Sequence, residues 1–157
     1  MAAQQAANIA DCKVHVITSK TSPQGIAAML AYDPENESDM TEDMNESLKD
    51  VITGQITYAV RDSSYDDMEI TEGDIMGMIN GKISVVGKRV PDVAKKLVKK
   101  MVEMNEDAEI ITVFRGEDIK DSQAEKLFNV LEDKYPEHEV DLQTGGQPLY
   151  YYIISVE

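Results

Sequence analysis

The sequence predicts an α/β fold: a mixed, mainly parallel sheet flanked by helices, with a central antiparallel β-hairpin region. Runs with strand character alternate with helical periodicity towards both ends of the chain, and such alternation is typical of parallel strands joined by helices. In the middle third, Asn80-Gly81 separates two β-prone runs and indicates a two-residue hairpin turn. The 157 residues suit one hydrophobic core, so we predict a single domain over residues 1–157.

The chain is predicted to begin with a helix, a strand and a second helix. Residues 1–10 are rich in strong helix formers, but a helix that begins at Met1 has no N-cap. Met1 is therefore either an internal methionine of a C-terminal fragment or a frayed native start. Residues 13–18 form a short β-branched run that is typical of a strand. Ser22 is the predicted N-cap of a proline-initiated helix over residues 23–31.

An acidic amphipathic helix is predicted next. Residues 33–50 contain eight acidic residues and one lysine, a local charge of −7, yet apolar residues recur there at helical spacing. Asp39 is the predicted cap of this helix, and Gly54 is predicted to end it. A strand over residues 55–61 and a turn over 62–67 follow, because a β-prone run is succeeded by turn-forming residues.

The second half is predicted to alternate helices and strands around one core. A helix over 90–105 is followed by a strand over 109–114, a helix opened by a Ser122–Glu125 capping box, and closing strands over 139–142 and 149–156. The periodicity of these elements places eight apolar residues in the core: Val93, Leu97, Met101, Ile110, Val113, Leu127, Phe128 and Leu131.

The charge excludes some classes of partner. The chain has 15 Lys+Arg and 30 Asp+Glu, a net charge of −15, which argues against binding nucleic acid or an anionic membrane. Residues 87–100 are the exception, since six basic residues and one aspartate give them a local charge of +5. This segment and residues 33–50 are either opposite poles that steer a partner or solvated helix faces. A single cysteine, and no apolar run long enough for a signal peptide or membrane helix, predict a cytoplasmic protein without membrane insertion.

The residues before the second predicted helix form the first candidate binding site. Ser19, Thr21, Ser22 and Gln24 follow a predicted strand and lie at a helix N-terminus. Hydroxyl groups, unpaired amides and the helix dipole converge at such a position and can hold an anion. The alternative is that these residues only cap the helix.

Two further candidates lie where strands are predicted to end. Arg61-Asp62 closes the strand over 55–61, where an arginine can clamp a carboxylate or phosphate of a partner. The alternative is an internal ion pair of Arg61 with Asp62 or Glu69. Gly145-Gly146 either lets a partner approach the backbone closely or only turns the chain.

Catalytic and metal-binding residues are not predicted. The sequence contains neither the phosphate loop G-x-x-x-x-G-K-[ST] nor G-x-G-x-x-G. Its acidic pairs fall in predicted turns, where acids usually make local caps. The two histidines and the single cysteine are too dispersed for a zinc site. The chain alone is therefore predicted to be no enzyme and to hold no cofactor.

Five segments together resemble one family. They are PQGIAAMLAYDP (23–34), TGQITYAVRDSS (53–64), ITEGDIMGMINGKI (70–83), ITVFRGEDI (111–119) and GGQPLYYYIISVE (145–157). In this order they resemble the C-terminal region of the ATP-binding subunit of bacterial fatty acid kinase, a dihydroxyacetone-kinase-like (DAK domain) protein. The A-V-R-D and G-D-x-M-G-x-x-x-G-K-I patterns are the most specific of these motifs.

The resemblance implies a role as well as a fold. In that family a separate kinase domain binds ATP and magnesium, and a DegV-type protein binds the fatty acid and presents its carboxylate for phosphorylation to acyl phosphate. The C-terminal domain is expected to dock the DegV-type protein and to contact the other domains of its own polypeptide. Formation of a homodimer is also left open. The kinase and central domains have no counterpart in this chain. The alternative is a small ligand- or anion-binding α/β domain related to dihydroxyacetone kinase.

Overall fold

The computed structural model describes residues 2–36, 39–66 and 68–157; Met1, whose status the sequence left open, lies outside them. Within these residues the helices are α1 (Ala2–Ile9), α2 (Ser22–Leu30), α3 (Met40–Glu46), α4 (Val90–Met104) and α5 (Asp121–Lys134). The strands are β1 (Ile52–Tyr58), β2 (Ser63–Tyr65), β3 (Met68–Ile70), β4 (Ile75–Ile79), β5 (Lys82–Gly87), β6 (Ile110–Arg115), β7 (Glu139–Thr144) and β8 (Tyr152–Val156).

The chain divides into two compact units, Met1–Val51 and Ile52–Glu157. The first contains the three N-terminal helices and a small apolar cluster of Ala28, Met44 and Leu48. The second contains β1 to β8, α4 and α5, and a large core. The single domain that we predicted over residues 1–157 stays a prediction.

The second unit confirms the α/β class, but the predicted mainly parallel sheet is wrong. Its six-stranded sheet has the order β5-β4-β1-β8-β6-β7, and among the described strands only β6 and β7 pair in parallel. The register shows why the alternation misled. β1, β5, β6 and β7 run in the same direction, but the antiparallel β4 and β8 lie between most of them.

The central hairpin is confirmed. β4 and β5 pair antiparallel across Asn80-Gly81, with Ile79 opposite Lys82. Both turn residues have positive φ, 49° for Asn80 and 81° for Gly81, as this tight turn requires. The Asn80 side chain also accepts a hydrogen bond from the backbone N–H of Thr53 at 3.0 Å, so the turn fastens the start of β1. A second, two-stranded sheet of β2 and β3 occupies part of the predicted turn over 62–67, of which residue 67 lies outside the described residues.

Helix α4 packs against the sheet through the face that its sequence predicts. Val93, Leu97 and Met101 are at most 1% exposed. The sheet beneath them carries Gly54 and Gly77, where an added Cβ would lie 2.6 Å from Met101 Sδ and 3.1 Å from Leu97 Cδ1, respectively. The two glycines therefore let the helix approach the strands closely.

The predicted core is largely correct. Val113, Leu127 and Leu131 are buried beside the α4 residues. Ile110 is wrong, because it is 37% exposed whereas Ile111 is fully buried. A shift of one residue along a strand moves a side chain to the other face. Phe128 is only partly buried.

The N-terminal unit departs most from prediction. Residues 13–18 form no strand, although their β-branched alternation is strand-like. The acidic helix ends at Glu46 and not at Gly54, which belongs to β1; the apolar spacing that seemed to extend it is the beginning of a strand. The N-cap of α2 is Thr21, whose side chain accepts the N–H of Gln24 at 3.3 Å, and not Ser22.

Candidate functional site

One end of the six-stranded sheet gathers most of the features that could bind a partner. β1, β5, β6 and β7 all terminate there, and β4 and β8 begin there, as the pairings of Tyr58 with Ile75 and of Arg115 with both Tyr152 and Thr144 show. We call this the Tyr152 end. The ends of several strands meeting at one edge are a common place for sites in α/β folds.

A cavity of about 510 Å³ opens at the Tyr152 end between α4 and α5. Its volume lies within the range of ligand and anchor-residue pockets. It is lined by the start of α4, the loop after β6, one face of α5 and the start of β8, through Arg89, Val90, Pro91, Lys95, Asp118, Ile119, Gln123, Lys126, Leu127, Val130, Tyr151 and Tyr152.

The mouth of this cavity is cationic. Arg89, Lys95 and Lys126 line it, against the single carboxylate of Asp118. Arg89 and Lys95 reach Asp92 at only 3.8 and 3.7 Å. Among the residues that the structure describes, Lys126 has no ion-pair partner. In a chain with a net charge of −15, this is a local reversal of sign that favours an anionic occupant.

Tyr152 forms part of the cavity wall and is only 2% exposed. Burial raises the pKa of its phenol to about 12, an effect that the nearby Arg115 charge opposes. The phenol is therefore neutral at physiological pH and can donate a hydrogen bond.

Arg115 holds the loop that borders the cavity. Its guanidinium donates to the carbonyl of Ile119 at 3.0 Å and pairs with Asp121 at 2.7 Å. Gly116 follows, and a Cβ there would lie 2.0 Å from the carbonyl oxygen of Tyr150. The guanidinium contacts and this close approach preform the cavity, so it requires no rearrangement to open.

Helix α5 begins one residue earlier than predicted. Lys120 is its N-cap and Asp121 its first residue. The Gln123 side chain accepts the N–H of Lys120 at 3.1 Å, in place of the predicted Ser122–Glu125 capping box. The earlier start aligns Gln123, Lys126 and Val130 with the cavity.

Gly145 and Gly146 also lie at the Tyr152 end, directly after β7. The N–H groups of both donate to the carbonyl of Arg115, at 3.1 and 3.0 Å. Gly146 has a φ of 63°, which favours glycine. These contacts are those of a turn that closes the β6–β7 pair; approach of a partner to this loop stays a prediction.

Arg61 and Asp62 follow β1 at the same end and play separate parts. Asp62 Oδ1 accepts the N–H of Glu72 at 2.7 Å, which ties the chain after β1 to the turn before β4. Arg61 is exposed, and no carboxylate of the described residues lies within 4 Å of its guanidinium. Its role in docking stays a prediction.

A buried carboxylate that the sequence did not single out lies close by. Asp74 is 5% exposed; its carboxylate pairs with Lys88 Nζ at 2.5 Å and accepts the N–H of Thr71 at 3.1 Å. These two hydrogen bonds lower the pKa of Asp74. The pair joins the residue before β4 to the residue after β5.

The candidate anion site at Ser19–Gln24 lies in the N-terminal unit, where its polar groups serve the fold. Thr21 caps α2, and the Gln24 side chain accepts the N–H of Lys20 at 2.9 Å and donates to the carbonyl of Leu48 at 3.2 Å. Ser22 lies inside the helix, and Ser19 is exposed. Because no strand precedes the helix, the strand-end geometry expected there is not formed. Anion binding at this position stays a prediction.

Within residues 2–36, 39–66 and 68–157, no group of three or more His, Cys, Asp or Glu side chains is arranged to hold a metal ion. Over the same residues, none of the helices combines the length and the apolar character needed to cross a bilayer.

The sequence analysis missed Arg115 and the cavity. The pattern that selected Arg61, an arginine that closes a β-prone run, also describes Arg115 in the segment FRGEDI. The cavity itself brings together residues from four separate parts of the chain, and no local pattern reports such a meeting.

Comparison with known proteins identifies the family. The model of the FakA-like C-terminal family, whose description names a fatty acid kinase subunit, matches residues 1–157. Protein YloV of Bacillus subtilis is 43% identical over 158 residues. An uncharacterized protein of Staphylococcus epidermidis is 40% identical over 158 residues, and one of Staphylococcus aureus is 38% identical over 162.

In each of these three comparisons the match covers 100% of this chain and 28% of the relative. The family description and the length of the relatives agree with the resemblance carried by the five sequence segments. The chain belongs to the FakA-like family of fatty acid kinase subunits, and it is the C-terminal domain of a larger protein.

Proposed function

We propose that this chain is the non-catalytic docking domain of a fatty acid kinase subunit. In this role it binds a DegV-type fatty-acid-binding protein, so that the bound fatty acid is phosphorylated to acyl phosphate by the kinase domain of the same polypeptide. The observation that carries the proposal is the match of the whole chain to a family whose description names a kinase subunit. Because such a protein is one part of an enzyme, it works with another chain.

Several features support a binding role without chemistry. The sequence has no phosphate loop, and the polar groups at the N-terminus of α2 are committed to capping. The groups at the Tyr152 end are instead those of a recognition surface, with an apolar cavity and a cationic mouth. ATP and Mg²⁺ are bound, in this proposal, by the part of the larger protein that this chain does not include. The complex acts in the cytoplasm.

Binding to the partner tests the proposal directly. The purified 157-residue chain is titrated with a DegV-type protein encoded in the same genome, by isothermal calorimetry. A saturable complex of one-to-one stoichiometry is expected. Heat at the level of dilution across the whole titration would contradict the docking role.

Absence of kinase activity is tested separately. The chain alone is expected to hydrolyse ATP no faster than a buffer blank and to yield no acyl phosphate when the loaded DegV-type protein is added. Addition of the full-length kinase protein restores phosphorylation. Turnover by the chain alone that a point substitution within it abolishes would overturn the non-catalytic assignment.

A further inference from the structure

The cavity between α4 and α5 has no role in the fold that would require a cationic mouth. We propose that it is the docking site for an acidic segment of the partner protein, which inserts one apolar side chain into the cavity and places its carboxylates on the mouth. This inference rests on the proposed function, because it names the surface and the chemistry through which that docking occurs.

The shape of the cavity suits a protruding anchor residue. Its walls are largely apolar, with Val90, Leu127 and Tyr152 among them, and Leu127 and Tyr152 are at most 4% exposed. Side chains that fill such desolvated pockets carry most of the energy of protein–protein binding. Because the Arg115 contacts preform the loop beside it, little ordering is needed when a partner binds.

Charge selects the segment that brings the anchor. Lys126 has no ion-pair partner among the described residues, and Arg89 and Lys95 share Asp92 through long, exposed contacts, which contribute little. All three can turn to carboxylates of a partner. By contrast, two other lysines of α4 are engaged, Lys99 with Glu103 at 3.5 Å and Lys100 with the carbonyl of Ser84 at 2.7 Å.

The mouth also has an exposed apolar residue. Val130 lies on the cavity face of α5, one turn beyond Lys126, and is 41% exposed. A β-branched side chain left in water beside an apolar cavity gains free energy when a partner covers it. Cation and apolar surface are therefore adjacent, which matches an apolar anchor flanked by acids.

The test measures binding kinetics between the 157-residue chain and the DegV-type protein by surface plasmon resonance, at low and physiological salt. Lys126→Glu is expected to raise Kd about tenfold at low salt, mainly through slower association, with a smaller effect at higher salt. Val130→Gln is expected to raise Kd about fivefold through faster dissociation. Lys96→Glu is the control, because it makes the same charge change at an exposed α4 position that does not line the cavity.

Each outcome bears on a different statement. No binding by the parent chain overturns the proposed function and this docking site together. Binding that Lys126→Glu and Val130→Gln leave unchanged overturns the cavity alone, and the docking role stands. A loss in Lys96→Glu equal to that in Lys126→Glu also overturns the cavity, because the complex would then respond only to net charge. Melting temperatures identify misfolded variants; if Val130→Gln is one, the exposed substitution Lys95→Glu replaces it.

Discussion

The ion pair of Asp74 and Lys88 gives the domain an acid-sensitive link at the Tyr152 end. Because the folded state lowers the pKa of Asp74, the carboxylate contributes stability above its unfolded pKa of about 4 and loses it as the pH falls through the lower folded value. Asp74→Asn is therefore expected to destabilise the domain at pH 7 and to flatten the decline in stability below pH 4. Urea denaturation from pH 7 to pH 3 measures this.

The matched control is Glu72→Gln, an exposed acid in the same turn. It should leave both the stability at pH 7 and the acid-induced decline near those of the parent. Equal pH profiles for the parent and Asp74→Asn would show that the pair contributes nothing to folding.

Tyr152 makes a complementary prediction at high pH. Its pKa of about 12 in the folded chain exceeds the unfolded value of about 10. Between these two pH values the unfolded chain binds fewer protons, so Tyr152 lowers stability as the pH rises. Ultraviolet titration should resolve one phenol that ionises last, and Tyr152→Phe should remove that step. A parent in which all seven tyrosines ionise near pH 10 while still folded would contradict the buried position.

At the level of whole elements, close packing of α4 on β1 depends on the absence of a side chain at one position. A Cβ at Gly54 would lie 2.6 Å from Met101 Sδ, so Gly54→Ala must displace α4 side chains. We expect a loss of about 1–3 kcal/mol in the free energy of unfolding, measured by chemical denaturation.

Gly25→Ala is the contrasting variant. Gly25 lies within α2, and only Ser19 Oγ, at 3.8 Å, approaches the position of its Cβ. Alanine there should be neutral or stabilise by up to about 1 kcal/mol, since glycine is a poor helix residue. A Gly54→Ala variant as stable as the parent would show that α4 does not pack this tightly on β1.

The elements that could be predicted from the sequence are those whose signals are local. The Asn80-Gly81 hairpin and the α4 helix carry their turn residues and their periodicity within a few residues of themselves. The positions of β4 and β8 in the sheet depend instead on pairing between distant segments, such as Ile56 with Tyr152. The run over 13–18 shows the reverse error: β-branched alternation makes a strand only where a partner strand is available.

The candidate site divides in the same way. Arg61, Asp62, Gly145 and Gly146 were selected individually from strand ends and turns, and the topology brings all of them to the Tyr152 end. Their proximity could not be predicted, because it follows from the insertion of β8 between β1 and β6. Lys126 and Val130 gave no signal at all, since a lysine and a valine on a helix are ordinary residues until a cavity adjoins them.

For the whole molecule, the division into two units predicts unequal autonomy. The large core lies entirely within residues 52–157, whereas the apolar cluster of the first unit is built on three buried residues. A chain of 52–157 is expected to unfold cooperatively by itself, and a chain of 1–51 is expected to remain unfolded, because so small a core cannot offset the entropy of ordering.

Circular dichroism and thermal melts of the two chains measure this. The parent chain, melted under the same conditions, is the reference for cooperativity. A 52–157 chain without a cooperative transition would show that the two units form one folding domain, as the length of the sequence first suggested.

The place of β8 in the sheet has a consequence for biosynthesis. β8 is made after β1 to β7, yet it lies between β1 and β6 and pairs with both. On the ribosome, the β5-β4-β1 half and the β6-β7 half are therefore complete before the strand that joins them emerges. Each half then exposes an unpaired edge, of the kind that recruits other chains. The nascent domain is a natural client for chaperones until β8 has left the exit tunnel.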